Sequence, residues 1–299
     1  MTSITKWAGL FALVTSAAAC ASSAPDEVVG NTASAVSTAA PAKDATGAAF
    51  KHSFANSKFH IGANAGAMTH LGLNKYVGSE GSFATDPRNG SVRAILNGDS
   101  PTLLNFKPLT NDPAVHNATT LAYFKGAGLP AAQVGDVQAL PSMQGGSDAK
   151  GNVDAPKFTG YASIVYRTVS GVRVPDSFAW AIFDANNEVV QESVHWPEIP
   201  QAAIAEALAM QKMMASPASA AAFHASLPAE AQAAAAADEG EVTIRHGATD
   251  AADPSPFASY DVLVPGRNGE RGKTRHFDRS GKEIQHQSTK VTQPYTPKQ

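Results

Sequence analysis

Apolar residues recur along this chain at two spacings, and the points where the spacing changes mark the expected elements. Tyr161 to Val169 and Val172 to Phe183 are long strand-like runs, rich in β-branched and aromatic residues, with Ser170-Gly171 as the turn between them. FDANNE, with the turn chemistry of a hairpin, leads to a third run, Glu188 to Trp196. Upstream the period becomes helical. Asp112 can cap, Pro113 fits a first helical position, and Val115, Ala118, Leu121 and Ala122 recur at helical spacing until Gly126 and Gly128. A further strand is expected over Gln133 to Leu140, followed by the Gly-rich loop QGGSDAKGN. Another is expected over Val92 to Leu96, flanked by the turn pairs Asn89-Gly90 and Asn97-Gly98. The rest of Phe50 to Leu104 mixes short apolar runs with Gly and Asn and predicts little.

The second half follows the same grammar. Pro200 to Met214 is helical, with Ile204, Ala207 and Leu208 on one stripe, and Ser216-Pro217 restarts a helix toward Phe223. Pro228 interrupts, and the Ala-rich stretch AEAQAAAAADEG runs to Gly240. Alanine favours helix but offers little area to bury, so 200–240 is expected to act partly as a connector. Val242 to His246, Phe257 to Val264, Lys273 to Asp278 and Glu283 to Gln287 are short strand candidates. Helices followed by strand meanders give an α+β fold, with antiparallel meanders packed by helices. Phe277-Asp278-Arg279-Ser280-Gly281-Lys282-Glu283-Ile284 matches the stretch starting Phe183-Asp184 in residue type, at an offset of 94, and Phe257-x-x-Tyr260 matches Phe158-x-x-Tyr161 at an offset of 99. A duplicated helix-plus-sheet unit and two hairpins sharing turn chemistry both explain this. The expected divisions are 50–111, little read, 112–199 and 241–290 as two α+β or β-rich units, and 291–299 as a tail.

The first 49 residues differ. Lys6 precedes the apolar stretch Trp7 to Val14, and small residues follow to Ala19, the order of a secretory signal over 1–19. The stretch is too short to span a membrane. Ala21 to Ala49 is rich in Ala, Ser and Thr and has no aromatic residue, so 20–49 reads as a flexible tether. Cys20 is the only cysteine in 299 residues, which excludes an internal disulfide. The net charge is -3, and losing 1–19 removes one lysine and no acid, which argues against nucleic acid as a partner.

Two family resemblances follow. Ala17-Ala18-Ala19-Cys20 resembles the lipobox of bacterial lipoproteins, with Ala17 where leucine is usual. That resemblance implies cleavage before Cys20, acylation of its thiol and, because Ala21 rather than Asp follows, the outer membrane. Ordinary signal cleavage after Ala19 or Ala21, giving a periplasmic or secreted protein, is the alternative. The order of helix, Gly-Leu, strand and long strands joined by FDxx[NG] is similar to PepSY and FTP-like modules. The residues that carry it are Asp184, Asn187, Val189, Asp278, Gly281 and Ile284, within Asp112 to Trp196 and Glu241 to Gln287. It implies small α+β domains that bind or restrain proteins or peptides, and it transfers no catalytic residue.

Candidate chemistry is sparse. His195 and Glu198 lie three apart, but Pro197 breaks any helix between them. Strand alternation puts Trp196 in the core and His195 toward solvent, where it is a weak binding candidate. Nine histidines are dispersed without a metal-ligand spacing, although His52, His60 and His70 fall in the unread region, where a metal site remains an alternative. Ser147 and Lys150 have Ser-x-x-Lys spacing in a loop, without the partner motifs that chemistry requires. Arg271, Lys273 and Arg275 alternate along a strand. They would meet an acidic partner or an anionic envelope surface, or else protect a sheet edge. No catalytic set, metal site or cofactor site is expected. The leading expectation is a non-enzymatic envelope lipoprotein, anchored to the membrane through Cys20, whose body binds a protein, peptide or other envelope component. An exported hydrolase with a site assembled from dispersed His, Asp and Ser residues and a passive structural envelope protein are the alternatives.

Overall fold

A computed structural model describes residues 47–50, 66–70, 73–86, 91–97, 100–144, 157–237, 240–247, 255–266 and 272–285. The expected signal, Cys20, the tether up to residue 46, the loop 145–152 and the tail lie outside the described residues. The fold is mixed α+β and mostly sheet. Its strands are β1 (Gly66–His70), β2 (Leu73–Val77), β3 (Gly81–Thr85), β4 (Val92–Leu96), β5 (Val134–Gln144), β6 (Lys157–Val169), β7 (Val172–Phe183), β8 (Val189–His195), β9 (Glu241–Arg245), β10 (Phe257–Val264), β11 (Lys273–Phe277) and β12 (Glu283–Ile284). The helices are α1 (Pro101–Leu104), α2 (Pro113–Gly126), α3 (Gln201–Met214), α4 (Pro217–Ser226) and α5 (Ala229–Ala237).

One open, mostly antiparallel sheet forks at β7. On one side β7 pairs with β6, which pairs with β5. Its other edge pairs with β8 over its second half and, near its start, makes a parallel contact with β9 at Arg173 and Thr243. From β8 the sheet continues through β4, β3 and β2 to β1, and from β9 a second arm runs through β10 and β11 to β12. The β6–β7 hairpin forms where the sequence predicts it. Ser170 and Gly171 both take positive φ, 52° and 78°, as a primed two-residue turn requires.

The two aspartate turns share one geometry. Asp184 Oδ1 accepts from the main-chain N–H of Asn186 and of Glu188, and Asn187 has φ 63°. Asp278 Oδ1 accepts from the N–H of Ser280 and of Lys282, and Gly281 has φ 83°. Matched sequence therefore encodes matched local structure at both turns.

Both faces of the central sheet are covered. Alternation along β7 puts Ala179, Ala181 and Phe183 with Phe124 and Trp196 under α2, and Trp180 and Ile182 on the other face with Leu103, Ile164 and Val190. The α2 boundaries agree with expectation, and the Asp112 carboxylate accepts from Ala114 N–H at 2.8 Å. Its buried face does not. Val115 is exposed, as are Ala118 and Ala122, while His116, Thr120 and Phe124 turn inward. The sheet supplies hydrogen-bond partners there, so polar residues fill positions an apolar count would reject.

Two expectations at the boundaries are corrected. Residues 47–49 belong to the body rather than to the tether. Gly47 O accepts from Ile199 N–H at 2.8 Å, Phe50 N–H donates to Trp196 O at 3.0 Å, and Phe50 is buried in the core under α2. The Ala-rich helices are a cover rather than a connector. Ala203, Ile204, Ala207, Met210, Phe223, Leu227, Ala231, Ala234 and Ala235 pack on Val242, Ile244, Tyr260 and Phe277 of the second arm. Small side chains here let helices lie close to the sheet, and that close packing compensates for the small area each residue buries.

Candidate functional site

The buried charge of this protein collects at the fork. The β6–β7 ladder is irregular between Tyr166 and Arg167, where Tyr166 pairs with Phe178 but Arg167 pairs with Val174. The extra β7 residues begin at Pro175, which has no N–H to give a ladder, and bulges tolerate proline for that reason. The bulge takes Asp176 and Ser177 out of regular pairing and brings them to Arg245 and His246 at the end of β9.

Asp176 accepts from Arg245 Nη1 at 3.0 Å and from the main-chain N–H of His246 at 3.2 Å. Arg245 also donates to Asp261 Oδ2 through Nε at 2.8 Å and Nη2 at 2.7 Å. Asp261 is a hub. Its Oδ1 takes His276 Nδ1 at 2.7 Å and the Ser259 hydroxyl at 2.7 Å, and its Oδ2 takes the Thr243 hydroxyl at 2.9 Å besides Arg245. Burial pushes the Asp261 carboxyl up, but the His276 hydrogen bond and the Arg245 charge outweigh it and hold the pKa at about 2. Burial opposes the Arg245 charge, and the two carboxylates more than restore it.

Two serine–histidine pairs lie beside this network. Ser177 Oγ is 2.8 Å from His246 Nε2, and Ser91 Oγ is 2.5 Å from His195 Nδ1. The two imidazoles meet edge to face with centroids 5.4 Å apart. Burial lowers the His195 pKa, Asp176 and Asp86 oppose that shift, and Arg167 reinforces it. The distances suit a nucleophile and its base. However, Ser177 is fully buried, so its hydroxyl faces protein rather than an open cleft.

His195 is thus a correction. It is half-buried rather than open to solvent, because Ser91 just before β4 and His246 just after β9 pack against it on that face of β8. Trp196 is fully buried, as strand alternation requires. Arg275 is engaged. Its guanidinium forms a two-point bond with Glu283, lies over the Phe277 ring at 5.5 Å and approaches Glu230 at 3.9 Å. Lys273 is exposed on β11 beyond the short β12 pairing, whereas Arg271 lies outside the described residues. His52 and His60 also lie outside, and His70 is placed only as part of β1. Among the described residues no group of three or more His, Cys, Asp or Glu could hold a metal ion.

Sequence reasoning passed over Arg167, Asp176, Ser177, His246 and Asp261. For Arg167 in IVYRTV and Asp261 in SYDVLV, as for Glu192 in VVQESV, the signal is a charged residue inside an otherwise apolar strand. A charge at such a position must be paired once buried. Glu192 is the third example, fully buried and accepting from the Tyr123 hydroxyl at 2.8 Å. Burial and that carboxylate raise the Tyr123 pKa.

Comparison with protein-family models gives no match, and neither the curated proteins nor the solved structures give one. No helix among the described residues is long and apolar enough to cross a membrane.

Proposed function

We propose that this chain is an exported envelope lipoprotein, anchored through Cys20, whose α+β body binds a protein or peptide without catalysing a reaction. The observation that carries the binding reading is the exposed end of the β5–β6 hairpin. Met143 and Phe158 face each other across the pair and are 45% and 41% exposed. Phe158 packs edge to face with Tyr161 at 5.0 Å, and the Tyr161 ring lies 6.2 Å from His116, next in sequence to Val115, itself 48% exposed. Large apolar side chains left in water beside one another suit a partner surface. The resemblance to PepSY and FTP-like modules points the same way. In support of a duplicated module, a helix followed by a four-strand meander occurs twice, as α2 with β5–β8 and as α5 with β9–β12. In each, the aspartate turn joins the third and fourth strands.

A photo-cross-linking amino acid placed at Phe158, with a control at exposed Lys212 on α3, tests this in intact cells. A discrete adduct from position 158 alone, lost on Met143→Asp, is the expected result. Equal labelling from both positions counts against it. In the same cells Cys20→Ser is expected to release the protein from the membrane fraction. The second reading, an exported hydrolase, is favoured by the Ser91–His195 and Ser177–His246 distances.

A further inference from the structure

Arg167 is buried beside Trp196, and no carboxylate among the described residues hydrogen-bonds its guanidinium. Its acceptors are all neutral. Nε donates to Gln133 Oε1 at 2.8 Å, and Nη1 donates to Pro197 O at 2.5 Å and to Ser177 Oγ at 3.5 Å. Nη2 donates to the carbonyls of Gly47 and Ala48 at 3.1 and 3.0 Å. Burial lowers the Arg167 pKa to about 9. A buried cation facing only neutral oxygens lacks the partner that burial ordinarily demands.

The two strap carbonyls collect more than Arg167. Gly47 O also accepts from Ile199 N–H at 2.8 Å, and Ala48 O accepts from Gln133 Nε2 at 3.2 Å. Three donors from separate segments, β6, the helical turn before β5 and the loop after β8, converge on two adjacent oxygens. A carboxylate or phosphate offers two or more oxygens on one group and adds negative charge, and charge-assisted bonds of this kind are roughly twice as strong as neutral ones.

We propose that Arg167, Gln133 and Ile199 N–H form an oxyanion site, for a carboxylate or phosphate group, which the strap of residues 47–50 occupies in this structure and an anionic ligand takes when the strap leaves. The donors stand on the sheet and its flanks, so the site is preorganised. The occupant is only a short strap, held elsewhere by the Phe50 side chain and the bond from Phe50 N–H to Trp196 O. Ligand entry therefore couples to release of the chain at residue 47, where the segment from Cys20 joins the body. This site is independent of the hairpin surface.

Gly47→Ala in the full chain carrying Cys20→Ser tests it. A Cβ at residue 47 would meet Ile199 O at 2.2 Å, so the substitution drives the strap and the Ile199 backbone apart while leaving the Arg167 and Gln133 side chains in place. Trp196, over the Arg167 guanidinium at 5.2 Å, reports binding through its emission. Inorganic phosphate and acetate are titrated separately at fixed ionic strength against chloride. The expected result is saturation by at least one anion, about tenfold tighter in Gly47→Ala than in the parent and abolished by adding Arg167→Lys. The anion that saturates distinguishes a phosphate-bearing from a carboxylate-bearing ligand. A folded Gly47→Ala chain that responds to neither anion more than its parent overturns the proposal. If that variant does not fold, hydrogen exchange of the Phe50 amide in the parent decides. Acceleration by phosphate or acetate relative to chloride supports the site, and unchanged exchange overturns it.

Discussion

Asp261→Asn is expected to lower stability by about 3 to 5 kcal/mol, the usual consequence of removing one partner from a buried charge network. Asp261 accepts from two residues on each oxygen, so an asparagine amide must turn its NH2 toward the donors of one pair. Arg245 keeps Asp176 but loses half of its compensation. Urea unfolding at neutral pH measures the change, with Arg173→Ala as the contrast. The Arg173–Glu241 pair is 2.7 Å long but about half exposed on both sides, so its loss is expected to cost under about 1 kcal/mol. Similar losses from the two substitutions would mean that the fork is not held together by its charges.

Acid is expected to destabilise the protein by about 3 kcal/mol between pH 6.5 and pH 4 through His116 alone. Burial lowers the His116 pKa from 6.5 to about 4. The protonation direction follows from the hydrogen bonds. Asn117 Nδ2 donates to Val137 O, Asn117 Oδ1 accepts the Ser163 hydroxyl, and Ser163 Oγ therefore accepts from His116 Nδ1–H. Nε2 is left as a buried lone pair without a hydrogen-bond partner among the described residues. Protonating it would bury an unpaired charge against Phe183, so the folded protein resists while the unfolded chain takes the proton near pH 6.5. The stabilisation is complete above pH 6.5 and disappears as pH falls toward 4. His195 shifts in the same direction, whereas Asp261 gives way only between its ordinary 3.8 and about 2. Stability measured against pH in the parent and in His116→Leu separates these contributions. The variant is expected to lose about 3 kcal/mol less across that interval, and parallel curves would remove His116 from the account.

Much of the fold is legible in the pattern of apolar and turn residues. The β6–β7 hairpin, the aspartate turns and the limits of α2 follow from local chemistry, namely positive-φ turn residues, an N-cap and a proline at N1. The inward face of α2 is not legible, because His116 and Thr120 are core residues only once Ser163 stands opposite. The fork is hidden for a related reason. Asp176 and Arg245 are 69 positions apart, and only the bulge at Pro175 and the parallel contact at Arg173 bring them together. The role of His195 needed Ser91 and His246, each remote in sequence. Arg167, Glu192 and Asp261 were readable in kind, since each interrupts an apolar strand, but their partners were not.

On the function proposed above, the Ser, His and Asp residues at the fork hold the structure and the chain works by binding. Reaction of the purified protein with a fluorophosphonate, followed by peptide mass spectrometry at Ser91 and Ser177, tests it most directly. The expected result is no adduct at either serine, with the parent indistinguishable from Ser91→Ala and Ser177→Ala. A stoichiometric adduct at Ser91 that His195→Gln abolishes, or at Ser177 that His246→Gln abolishes, would contradict it and make the protein a hydrolase.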